Sequence, residues 1–217
     1  MDLPTLYQRT LDWWVTRVDT VGEGQWSDPT PCTKWSVRDL VNHVVAEDRW
    51  TAPLLEGATI AEAGHRFDGD PLGDDPVASA HEAAEEAGSS AAALLPTGGR
   101  VHLSYGEEDM EEYARQLCAD HLIHGWDLAA AVGADRRMDP ELVDEVAAWF
   151  ADREEMYRAG GAVAVRPDDA GDPQTDLLAA FGRSAAWTTP GGGTGSGRHR
   201  TREGGRAGRA LEGEGAG

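Results

Sequence analysis

The chain has 217 residues, 40% of them hydrophobic, with 39 acidic against 19 basic side chains and a formal net charge of −20 at pH 7. That length suits one domain, or one domain with an appendage, and the apolar content is enough to build a core. The acidic balance argues against a nucleic-acid binder, because neutralising phosphates needs clustered Lys and Arg; it favours solubility and says little about activity.

The opening stretch, MDLPTLYQRTLDWW, lacks the basic and apolar regions of a secretory signal, so none is expected. No run approaches the ~18 apolar residues of a membrane span. Cys32 and Cys118 are too few for a disulfide scaffold and too far apart for a CxxC motif, and read as reduced thiols of a cytoplasmic protein.

From Leu3 to about Val21 the apolar positions Leu3, Leu6, Leu11, Trp14, Val15 and Val18 fall at helical spacing. Residues 22–34 carry Asp-Pro and Thr-Pro loop signals. Ser36 then reads as an N-cap, with Asp39 completing a shortened capping box. The helix it opens runs to about Leu55 and is expected to bury Val37, Leu40, Val41, Val44, Val45 and Trp50, with Gly57 as its stop. Residues 57–75 read as irregular. Asp75-Pro76 opens a third helix to about Leu95, and Val101–Tyr105 is a connector or a minor strand. A fourth helix spans Glu111 to about Val132, stopped by Gly133. A fifth runs from Pro140 to about Tyr157 behind the N-cap Asp139, and Asp176–Phe181 is a short apolar turn. Beyond Trp187 the composition turns to Gly, Arg, Thr, Ala and Glu, too little apolar surface to offset ordering entropy. The expectation is therefore an all-α fold over residues 1–187 and a disordered Gly/Arg-rich tail over 188–217. The tryptophans read as packing, with Trp126, two past His124, pointing away from that residue's face.

Three histidines inside helices carry the chemical signal. His43 sits mid-helix among core positions, where a lone imidazole is usually a satisfied core group. The fourth helix adds a second signal, because Asp120 and His124 are four apart and share a face, one turn from each other. Two imidazoles and a carboxylate from two helices supply three positions for a divalent ion, and three protein ligands with a vacancy is the catalytic pattern. The donor set suits Zn²⁺, and also Ni²⁺ or Fe²⁺. Spacing leaves His121 and Asp120 competing: the seam Leu117, His121, His124, Leu128 favours one, the i, i+4 geometry the other. Asp127, three past His124, is either an acceptor that fixes an imidazole or a solvated carboxylate at the helix end. Glu47, one turn after His43, is a weaker candidate for a fourth ligand.

The pairing of Trp35-Ser-Val-Arg-Asp-Leu-Val-Asn-His43 with Asp120-His-Leu-Ile-His-Gly-Trp-Asp-Leu128 resembles the DinB/YfiT-like metal-binding superfamily, and within it the metal-binding domain of mycothiol-dependent maleylpyruvate isomerase. The likeness spans roughly residues 5–187 and ends in Leu177-Leu-Ala-Ala-Phe-Gly-Arg183. It implies an up-and-down bundle of four main helices, with a metal held by His43, Asp120 and His124; His121 then falls on a non-ligand position. That isomerase has Glu where this chain has Asp120. It also carries a second, C-terminal domain where this chain has its Gly/Arg tail, so the resemblance reaches the metal domain and not the isomerase reaction.

The first expectation for activity, from a metal with an open position and a thiol such as mycothiol, is a metal- and thiol-dependent transferase or isomerase whose partners are a small-molecule thiol and an electrophile, with neither nucleic acid nor membrane, and with a homodimer left open. Cys118, two residues from Asp120, faces away and is not expected to be a nucleophile. The rival expectations are a non-catalytic, stress-related metal-binding bundle and a metal-dependent hydrolase.

Overall fold

The computed structural model describes residues 1–190 apart from 65, 68 and 168–170; the expected disordered tail, from 191 on, lies outside the described residues. The elements run α1 (Leu3–Val18), α2 (Val37–Leu55), α3 (Ile60–Ala63), α4 (Pro76–Leu94), a 3₁₀ turn (Leu95–Thr97), β1 (Arg100–Leu103), β2 (Gly106–Asp109), α5 (Met110–Val132), α6 (Pro140–Phe150), α7 (Glu154–Ala159) and α8 (Pro173–Ala180). The fold is all-α apart from one antiparallel hairpin of β1 and β2.

The helix starts follow local chemistry. Ser36 Oγ accepts from the Asp39 amide while the Asp39 carboxylate accepts from the Ser36 amide, the reciprocal box that satisfies two orphan donors. Asp2, Asp75, Asp139 and Asp172 each cap a helix whose first turn contains proline. Gly133 ends α5 at φ 77°, a left-handed conformation that costs glycine little.

The four long helices share one core: α1 packs on α4 and α5, and α2 on α4 and α5. Leu6, Leu11, Trp14 and Val18 of α1 meet Leu40, Val41 and Val44 of α2, the small Ala80, Ala83, Ala87 and Ala91 of α4, and Leu117, Leu122 and Leu128 of α5. The α1–α5 approach is close at Gly125, where an added Cβ would stand 2.2 Å from Trp13 Nε1. That indole donates to the Leu122 carbonyl at 3.2 Å, so any side chain at 125 would displace it. Smaller elements gather on one side, with α6 packed on α8 and α5.

Several expectations shift. The first helix ends at Val18 because Thr20 and Val21 turn back to the carbonyls of Arg17 and Val18. Residues 57–75 hold a short helix, α3, closed by its own Thr59–Glu62 capping box. Val101 lies in a strand whose partner is Glu108. The helix expected from Pro140 to Tyr157 is two helices, broken at 151–153, where Arg153 turns its guanidinium onto Glu112 of α5 and the carbonyl of Trp149. The final apolar turn is the end of a longer helix that starts at Pro173. Trp50 is only half-buried, edge-on to Phe67. Among the described residues no helix is long and apolar enough to cross a membrane.

Candidate metal centre

Helices α2 and α5 cross so that His43, Asp120 and His124 meet. His43 Nε2 lies 3.0 Å from Asp120 Oδ2, and His124 Nε2 lies 3.5 Å from Asp120 Oδ1. One donor atom from each of the three falls within 4.8 Å of the others. The two imidazoles meet edge-on at 5.2 Å, and the Trp35 ring lies 4.8 Å from that of His43. The group forms part of the lining of a cavity of about 730 Å³.

The electrostatics are those of a carboxylate clasped by two imidazoles. Burial alone would raise the Asp120 carboxyl, but the charge of His124 and the hydrogen bond with His43 outweigh it and hold the group well below the usual carboxylate range. Burial likewise works against a charged His43, yet Asp120 raises its pKa overall. With Asp120 ionised, the Nε2 that faces it carries a proton, which a metal ion would have to displace.

His124 is oriented from behind. Its Nδ1 lies 3.0 Å from Asp127 Oδ2, and Asp127 is fully buried. Burial pushes the Asp127 carboxyl up, but Arg183 and His124 pull it below its ordinary value, so it accepts the Nδ1 proton. In the neutral imidazole that would leave Nε2 of His124 free for an ion on the cluster side, the arrangement by which a carboxylate orients a metal-binding imidazole. Arg183 bonds both Asp127 oxygens, at 2.9–3.1 Å through Nε and Nη2. Its Nη2 also donates to Cys32 Sγ at 3.0 Å, and Cys32 donates to Asp127 Oδ2 at 3.2 Å. Burial, then the nearby Asp127, pushes the Cys32 thiol far up, which favours the neutral thiol that donates to Asp127.

The remaining candidates separate cleanly. His121 is fully buried and turns Nε2 to Asp48 Oδ1 at 2.8 Å, with its ring edge-on to Tyr7; it joins neither group of clustered donors found among the described residues. Glu47 lines the cavity, and burial, followed by the charge of Asp120, raises its carboxyl. Cys118 is buried, with its thiol pushed up to about 12 by burial. Trp126 is buried and does not line the cavity.

Two participants escape sequence reasoning. Cys32 and Arg183 stand 151 residues apart and come from a loop and from the segment after α8, where no periodicity marks them. A second group of potential donors, Cys32, His124 and Asp127, results from their meeting. Arg183 fills that corner, and its charge makes it a poor place for a cation.

Comparison with known proteins identifies the family. The mycothiol maleylpyruvate isomerase N-terminal domain matches residues 8–129. Two curated proteins of Mycobacterium tuberculosis strains, both described as uncharacterized, are each 32% identical over 190 residues, covering 83% of this chain and 97% of the relative. No solved structure matches.

Proposed function

Since the chain belongs to the family of the mycothiol maleylpyruvate isomerase N-terminal domain, we propose that His43, Asp120 and His124 hold one divalent metal ion, Zn²⁺ by preference, in a metal- and low-molecular-weight-thiol-dependent transferase or isomerase. The observation that carries this reading is the convergence of two imidazole nitrogens and one carboxylate oxygen within 4.8 Å in the wall of a cavity. The donor chemistry fits: nitrogen and oxygen ligands suit a divalent first-row ion, and three protein ligands leave room for a fourth from outside.

A divalent ion with an open position supplies Lewis acidity, which lowers the pKa of a thiol or of water brought to it. This chain's residues do the rest. Asp127 holds the Nδ1 proton of His124 and Arg183 balances the charge of Asp127, which fixes the tautomer that offers Nε2. Glu47, which lines the same cavity with a raised carboxyl, is assigned the proton of an arriving thiol. Trp35, Leu117, Ile123 and Phe181 give the lining apolar surface, which disfavours water beside the reacting groups. The reaction class is addition of a thiol sulfur to an electrophilic carbon. Keeping the adduct gives transfer; rotation and elimination give isomerisation. Cys32 and Cys118, both free, are taken as thiols of a cytoplasmic protein. Residues 1–187 are read as one up-and-down bundle of four main helices and 188–217 as an appended tail.

Metal analysis of the purified protein tests the centre: the expected result is near-stoichiometric metal in the wild type, lost in His43→Ala and His124→Ala and kept in His121→Ala. Conjugation of a generic electrophile with mycothiol, glutathione or bacillithiol tests the reaction. Identical background rates for the metal-loaded and metal-free protein would sink the enzyme reading, and product formed without any thiol would point to a hydrolase.

A further inference from the structure

Two aromatic walls line the cavity. Trp35 forms one, beside His43 and His124. Trp149, Tyr157 and Phe181 form the other, braced by Phe150, whose ring stacks on Phe181 at 4.0 Å and meets Tyr157 edge-on at 5.4 Å. A volume of about 730 Å³ lies within the ~300–1,000 Å³ of pockets that enclose drug-sized ligands. Flat apolar surface of this kind favours ring faces and edges.

Charge narrows the choice. Arg183 is neutralised by Asp127, and its N–H groups are directed at Asp127, Cys32 and the Phe181 carbonyl. Glu47 and Asp120 also line the cavity and repel a second negative group. Lys34, exposed in the lining next to Trp35, is the only lysine of the chain. Among the described residues it has neither an ion pair nor a hydrogen bond. In a protein of net charge −20, that ammonium is the one cationic side chain of this lining, apart from the histidines, that no carboxylate already holds.

We propose that the cavity takes a flat aromatic molecule bearing one carboxylate, with the ring between the aromatic walls and the carboxylate on Lys34. This specifies the substrate class and rests on the reading that the cavity is the substrate site. A small dicarboxylate fits poorly, because it lacks a ring for the walls and, with the open position of the ion taken by the thiol, its second carboxylate would face Glu47 and Asp120.

The test uses the full chain, freed of metal so that no ion can take a carboxylate, and three probes: 2-naphthoate, its uncharged amide, and maleate. Binding is read by tryptophan fluorescence and by the NMR signal of ¹³C-dimethylated Lys34, a modification that keeps the charge; Lys34→Arg removes that signal and so assigns it. Naphthoate is expected to bind and to move the signal. The amide should bind about three- to fivefold more weakly and leave the signal in place, and maleate should bind at least about tenfold more weakly than naphthoate, lacking the ring and carrying the repelled charge. Lys34→Ala should erase the difference between acid and amide, Lys34→Arg should keep it, and Tyr157→Ala should weaken both aromatic probes by at least about threefold. The proposal is overturned by maleate binding as tightly as naphthoate, by no binding of naphthoate, or by an acid–amide difference that survives in Lys34→Ala. Thiol conjugation is measured on the same preparation after reloading with Zn²⁺. Naphthoate binding without conjugation defeats the proposed reaction alone, and conjugation without naphthoate binding defeats the substrate class alone.

Discussion

Helices α2 and α5 make two acid–imidazole pairs with the roles exchanged: α2 gives His43 and α5 Asp120 to one, α2 gives Asp48 and α5 His121 to the other. The two are chemically alike and physically opposite. The first opens on the cavity, where His124 adds a third donor and where water or a ligand reaches the remaining lone pairs. The second is sealed in the core at 0% exposure on both residues, with Asp48 Oδ2 and His121 Nδ1 left without a hydrogen-bond partner. The environment, and not the residue types, separates a candidate metal centre from a structural pair. A buried polar pair specifies how two helices meet, and losing half of it strands the other half.

That contrast gives the largest expected effect. Asp48→Ala should destabilise the protein by about 3 kcal/mol, where the ranges for a broken buried ion pair and an orphaned hydrogen-bonding group meet. Urea denaturation reads it, and metal content should not change. The double replacement Asp48→Leu with His121→Phe should recover much of the loss, since an apolar pair of similar size carries no stranded group. Metal loss on Asp48→Ala would erase the distinction drawn between the two pairs.

The converse change comes next. Asp120→Ala should reduce metal affinity by more than about 100-fold, beyond the range for an outer partner, while the metal-free protein keeps most of its stability because the position is partly open to solvent. A competition titration with a chromophoric chelator measures it. Asp127→Asn should cost about 10–100-fold in the same titration, because the amide offers a donor as well as an acceptor and the His124 tautomer is no longer fixed. An unchanged affinity would show that the tautomer is set elsewhere.

How much of this is legible in the sequence depends on the reach of each signal. The i, i+4 spacing of Asp120 and His124, the capping box of Ser36 and Asp39, and the Asp-Pro helix starts are local and can be read directly. The choice between Asp120 and His121 is not local. Both stand on α5, and only the position of Asp48 across the core draws His121 away from the cavity. The break at 151–153 carries no glycine or proline to announce it, being set by Arg153 reaching Glu112. Cys32 and Arg183 lie in stretches without periodicity, so their contact with Asp127 exists only once the chain has folded.

The smallest effect is in pH. Asp120 has its folded pKa lowered from 3.8, so its contribution to stability is present above that value and lost as pH falls through the folded pKa. The raised His43 contributes below 6.5 and loses its contribution as pH rises through its folded pKa. The metal-free protein should therefore be held best by this pair between 3.8 and 6.5, with thermal stability sloping down above that window and the slope flattened in His43→Asn. Metal should reverse the trend. Its affinity should climb by up to about tenfold per pH unit while His43 is still protonated, and a flat affinity from pH 5 to 8 would show that His43 gives up no proton to the ion.

Arg183 makes the far end of the chain a party to the centre. The residue follows α8, and through Asp127 it reaches the ring of His124, so the docking of α8 and the binding of an ion at His124 would be linked equilibria. Such linkage is reciprocal: whatever factor the docked segment adds to the affinity for the ion, the ion returns to the docking. An ion held between α2 and α5 would thereby protect the α8 segment from proteolysis and hydrogen exchange, although it touches neither.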